Sequence, residues 1–146
     1  MIKLIDHPLA KAKLTILRNK NTHFSLFRKS LNEISYLLAI NSLNDIELSV
    51  VDIETPIDKT KGFEIKDKIL VVPILRAGLG LLPGFTDLIN NSTVGLIGLK
   101  RDEDTLLPSQ YYLNIPQDLR DYVVIILEPM IATGGSIRKA LEILLN

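Results

Sequence analysis

From Lys68 onward the apolar residues come in short unbroken runs, whereas ahead of that point they recur at helical spacing or alternate loosely with polar ones. The runs are "KILVVPIL", "TVGLIGL" and "YVVIIL", with the helical or glycine-bearing segments "GLLPGFTDLI" and "SIRKALEILL" interspersed. Unbroken runs of about four to eight apolar residues are typical of strands covered on both faces, and their alternation with helices predicts parallel βαβ units. The expected fold is α/β, a mainly parallel sheet flanked by helices. One piece, "KRDEDTLLPSQYYLNI", interrupts this rhythm with a charged, proline-bearing loop and predicts an extra strand over Tyr111 to Ile115.

The first part of the chain reads differently. Asp6 to Asn44 is predicted helical, with a cap before Pro8 and a packing stripe at Phe27, Leu31, Ile34, Leu37, Leu38 and Leu43. "IELSVVDIETPI" then predicts a strand that stops at Pro56, followed by a polar connection, "DKTKGFEIKD", with no chemistry of its own. The expectation is one domain over residues 1–146, with an N-terminal helical region at about 6–44 and an α/β core at about 68–146. No internal repeat, low-complexity tract or interdomain linker is evident.

Composition narrows the class. The formal net charge is zero and 23% of residues are charged, the balance of a folded protein and not of a broad phosphate-backbone binder. Cysteine is absent, which excludes disulfides and thiolate metal sites. The start, "MIKLIDHPLAKAK", carries charges where a secretory signal is apolar, and no run approaches the ~20 apolar residues of a membrane span. A soluble, internal protein is expected: cytoplasmic, or in the plastid stroma if organelle-encoded.

The chemistry concentrates in "VVIILEPMIATGGS", residues 123–136, where an apolar run ends in a carboxylate and a Thr-Gly-Gly-Ser turn. In an open parallel sheet ligands bind beyond the carboxyl ends of the strands. Gly134 and Gly135 let backbone amides converge on an anion, Thr133 and Ser136 add hydroxyls, and the helix that follows points its positive end at the same place. Glu128 would repel a phosphate, yet suits a sugar, since a carboxylate accepts hydrogen bonds from two vicinal hydroxyls. Acid plus turn suggests a ribose 5-phosphate. The bland alternative is a helix-entry turn beside a solvated carboxylate. A Walker loop fits worse, because Gly135 stands where it needs Lys.

Two arginines bear on the choice. "RAGLG", residues 76–80, opens like a dinucleotide fingerprint, but Pro83 replaces the third glycine. Arg76 fits instead as the cation of a second anion loop, or as an ordinary surface charge. Arg101 follows the "TVGLIGL" strand, either as a third anion-binding group or as a surface residue paired with Asp102 or Asp104. His7 and His23 stand alone, with no partner at metal spacing, and are read as structural or surface residues.

Taken together, "HPLAKAKLTILRNKNT", "LNEISYLLA", "IETPI", "VVPILRAGLG", "VGLIGLKRDEDTLLPSQYY" and "EPMIATGGS" closely resemble the uracil phosphoribosyltransferases, in order and over nearly the whole chain. The resemblance implies a phosphoribosyltransferase fold and pyrimidine salvage chemistry. Uracil and 5-phospho-α-D-ribose 1-diphosphate (PRPP) would give UMP and pyrophosphate, with Mg2+ carried on the diphosphate. It implies that Glu128, Pro129, Met130, Ile131, Ala132, Thr133, Gly134, Gly135 and Ser136 hold the ribose 5-phosphate, with Glu128 the catalytic residue, and that Arg76 and Arg101 bind the diphosphate. No protein metal ligands are implied; a homo-oligomer and a GTP effector are.

Two departures qualify the resemblance. The family usually has Asp where this chain has Glu128, and a displacement near 1 Å at such a site costs on the order of 100-fold in rate, which leaves room for weakened turnover. Family members also continue past "ALEILLN" with a segment that recognises uracil, so a truncated enzyme with an exposed "YVVIIL" edge is expected. Two alternatives stay open: a catalytically inactive PRPP-binding module, distinguished by binding without turnover, and an RNA-binding regulator on the same fold, which would need a basic face.

Overall fold

A computed structural model describes residues 2–102 and 108–145. The predicted N-terminal helix is two helices, α1 (Pro8–Arg18) and α2 (Phe24–Ser42), and each isolated histidine turns out to be a helix cap. His7 Nδ1 accepts the Leu9 N–H at 3.1 Å and His23 Nδ1 accepts the Ser25 N–H at 3.4 Å, so both rings satisfy amides that a helix start leaves unpaired. Between the helices the Thr22 hydroxyl donates to the Ile16 carbonyl at 2.7 Å, folding the chain back so that α1 lies along α2. The Lys13–Glu33 ion pair clamps the two helices, and the hydrogen bond from Lys13 holds the Glu33 carboxyl below its ordinary range.

β1 (Leu48–Glu54) pairs antiparallel with β2 (Lys59–Ile65), so the stretch expected to be a polar connection forms half of a hairpin. Cross-strand pairing explains the error: Lys61 stands opposite Asp52 and Lys59 opposite Glu54, and paired charges make good strand surface although their hydropathy reads as loop. The hairpin forms a two-stranded sheet of its own.

The main sheet contains β3 (Lys68–Leu75), β4 (Thr93–Val94), β5 (Leu96–Arg101), β6 (Pro108–Asn114) and β7 (Tyr122–Leu127). β3 lies at its centre, parallel to β7 on one side and to β4 and β5 on the other; β6 adds antiparallel to β5, where the extra strand was expected. β4 and β5 are one predicted strand interrupted at Gly95, whose N–H donates to the Val71 carbonyl at 2.9 Å. β7 has β3 as its one strand partner among the described residues.

Alternate residues of β3 feed two cores. Ile69 and Val71 pack with Ala39, Leu81, Phe85 and Ile89 below α2 and the short helix α3 (Leu82–Thr86). Leu70, Val72 and Ile74 pack with Ile97 and Ala140 under α4 (Gly135–Leu145). Of the predicted stripe on α2, Leu31, Ile34 and Leu43 reach the first core, while Phe27 and Leu38 remain exposed. The fully buried positions of α2 are small: Ser30, Ser35 and Ala39. They permit close approach; a Cβ at Gly84 would lie 2.2 Å from Ser35 Oγ, which instead accepts the Gly84 N–H at 3.0 Å. On α4, Ile137, Ala140, Ile143 and Leu144 pack into the second core, and Leu141 and Leu145 face outward.

Candidate functional site

Because β3, β5 and β7 run parallel, their carboxyl ends share one edge of the sheet, and that edge carries Arg76, Arg101 and Glu128. The order places the end of β3 between the other two. Arg76 follows β3 directly through a cis Leu75–Arg76 peptide and caps a 3₁₀ turn, Ala77–Gly80. Its side chain is exposed and has no ion-pair partner among the described residues. The turn rests on the end of β7: a Cβ at Gly78 would come within 2.4 Å of the Leu127 carbonyl oxygen, so only glycine lets the Arg76 loop and the Glu128 loop meet this closely.

Glu128 leaves β7 half-buried, and its Oε1 accepts the Met130 N–H at 3.3 Å, which turns the carboxylate back over its own loop. Gly134 adopts φ +77°, a left-handed conformation strained for other residues, and its carbonyl accepts the Arg138 N–H at 2.9 Å to start α4. The first turn of α4 contains no acidic residue, so its amide dipoles are not countered by a neighbouring carboxylate. The Thr133 and Ser136 hydroxyls have no protein partner among the described residues, leaving both available to a ligand.

These groups line one cleft of about 440 Å³. Glu128 and residues 130–138 form one part of its wall, and Leu99, Lys100 and Pro108, from β5 and β6, form another. Pro129 and Arg76 lie outside this lining; Arg76 stands at the neighbouring strand end. Arg101 ends β5, and its side chain lies outside the described part of the structure, as does residue 104, its suggested partner. Five described lining residues, Leu99, Lys100, Pro108, Ile137 and Arg138, carry no site signal in the sequence motifs. Leu99 and Lys100 read as strand and loop-opening residues, Pro108 as part of the proline-bearing loop, and Ile137 and Arg138 as part of the helix; nearness to Arg101 and to the glycine turn is the available signal.

A strand-edge cleft with an amide-rich turn, two hydroxyls and one carboxylate is suited to a phosphorylated sugar. The sequence profile of the uracil phosphoribosyltransferase family matches residues 4–146. The chain belongs to that family. It is 47% identical over 144 residues to a uracil phosphoribosyltransferase of Malacoplasma penetrans, covering 99% of this chain and 70% of the relative. The corresponding enzyme of Salinibacter ruber is 43% identical, covering 97% of this chain and 67% of its own length. A solved protein structure from Aquifex aeolicus superposes with a TM-score of 0.91 at 38% identity, covering 99% of this chain and 70% of that one. The expected fold and reaction class are therefore borne out: this is a transferase of the uracil phosphoribosyltransferase family, built on a mixed sheet flanked by helices.

Proposed function

We propose that the cleft binds PRPP with its 5-phosphate on the turn Thr133–Ser136, its ribose hydroxyls on Glu128, and its diphosphate toward Arg76 and Arg101. Attack by N1 of uracil on the anomeric carbon forms the C–N bond as the bond to the diphosphate oxygen breaks. The N1 proton is released, and UMP and pyrophosphate result. The observation that carries this reading is the shared cleft: Glu128 and the turn at the N-terminus of α4 sit side by side, matching the sugar and the phosphate of one ligand.

The chain's residues act by position and charge. As the diphosphate departs, positive charge grows on the sugar ring, and the half-buried Glu128 carboxylate favours it. The α4 amides and the Thr133 and Ser136 hydroxyls hold the phosphate, fixing the anomeric carbon relative to the arriving base. Magnesium fits as an ion that enters with the diphosphate, since the described lining residues supply a single carboxylate, and Mg2+ is commonly held by one or two carboxylates plus substrate phosphates. When bound, it neutralises charge on the leaving group. Conversion of labelled uracil to UMP, measured for the wild type and for Glu128→Gln and Ser136→Ala, tests this reading. Glu128→Gln should lower turnover most and Ser136→Ala should weaken the donor; equal activity in all three proteins would reject it.

The family resemblance also implies a homo-oligomer, and the hairpin supports a second copy as its partner. Leu48, Val50, Phe63 and Ile65 share one exposed face, continued outward by the oppositely charged pairs Asp52–Lys61 and Glu54–Lys59. A face carrying both signs in register is complementary to itself about a two-fold axis.

A further inference from the structure

Among the described residues that line the cleft, two are cationic, Lys100 and Arg138. Arg138 already faces a carboxylate, with Nε 3.8 Å from Glu142 Oε1. Lys100 is exposed and has no carboxylate partner among the described residues, whereas Lys3, Lys11, Lys13, Lys61, Lys66, Lys68 and Lys139 each have one. Its backbone is fixed: Lys100 stands opposite Ser109 in the β5–β6 ladder, and the Ser109 hydroxyl donates to the Lys100 carbonyl at 3.4 Å. The ladder shifts register between Gly98 and Leu99, just ahead of it. An ammonium without a carboxylate partner among the described residues, held at the carboxyl end of a strand beside a ligand cleft, has its charge available for that ligand.

We infer that Lys100 is a further donor-binding residue, its ammonium serving the diphosphate end of PRPP. The inference rests on the reading that the cleft takes this donor. The turn at the start of α4 accounts for one anionic group, the 5-phosphate, and Lys100 enters the lining from a different strand. A ligand with a second anionic group on the far side of its ribose engages both. Lysine suits that role, because its compact charge carries three rotatable donors and adapts to a mobile diphosphate.

The test is calorimetric titration of the wild-type chain, Lys100→Met and Lys100→Arg, with PRPP plus magnesium and separately with ribose 5-phosphate. A charge-assisted contact at an exposed position corresponds to roughly a tenfold change in affinity. Lys100→Met should weaken PRPP by about that factor and leave ribose 5-phosphate within about twofold, while Lys100→Arg should recover most of the loss. Unchanged PRPP affinity in Lys100→Met, against a wild type that binds, would overturn the inference. Equal weakening of both ligands would also overturn it, by moving the contact away from the diphosphate. A wild type that binds neither ligand would remove the donor site itself.

Discussion

Strand β3 and the β1–β2 hairpin both draw on β-branched and other large apolar residues and meet opposite fates. Ile69 to Ile74 are buried without a break, because α2 and α3 cover one face of the sheet and α4 the other. On the hairpin, Val50 is 62% and Phe63 69% exposed, because no helical layer among the described residues covers that two-stranded sheet. Burial follows from the layers around a strand more than from its own residues. The same contrast locates function. A fully buried strand can hold Arg76 at a fixed edge, whereas an uncovered hairpin offers surface for association.

The strongest way to break this comparison is at the centre of β3. Leu70→Ala, at a position with no exposure, should cost about 2–5 kcal/mol in chemical denaturation. Next comes Gly78→Ala: the added methyl meets the Leu127 carbonyl oxygen, so about 1–3 kcal/mol should be lost, and donor affinity should fall with it as the two loops separate. Gly134→Ala meets no atom within 4 Å, so its cost is conformational alone, about 1 kcal/mol for a left-handed residue. Phe63→Ser on the hairpin should change the stability of the single chain by no more than about 0.5 kcal/mol. Its effect should appear in sedimentation, as loss of the associated species.

The comparison was only half visible in the hydropathy. The buried runs of β3 and β7, the strand-edge position of Glu128 and the glycine turn were legible, because a parallel sheet writes its burial into unbroken apolar runs. The hairpin was not: β2 places Lys59, Lys61 and Glu64 on strand surface, and only cross-strand partners reveal that those charges are accommodated. The break between α1 and α2 was hidden because "NKNTH" contains neither Gly nor Pro; the turn is made by side-chain capping from Thr22 and His23. Lys100 went unread because membership of a cleft is a property of two strands and a loop together.

A subtler difference should emerge with pH at the α1–α2 clamp. Since Lys13 lowers the Glu33 pKa in the folded chain, the pair contributes fully above the carboxylate's ordinary pKa and loses its contribution as pH falls through the lowered folded value. Denaturation of wild type and Lys13→Met should therefore differ at neutral pH and converge in acid, whereas a gap independent of pH would assign the effect to packing.

The most direct test of the donor-site account is calorimetric titration of this chain with PRPP and magnesium beside Arg76→Ala. The account predicts saturable binding by the wild type and affinity at least about tenfold weaker in the variant, because the proposal makes Arg76 a charged ligand of the diphosphate. A folded chain that binds the donor equally well with and without Arg76 would contradict it.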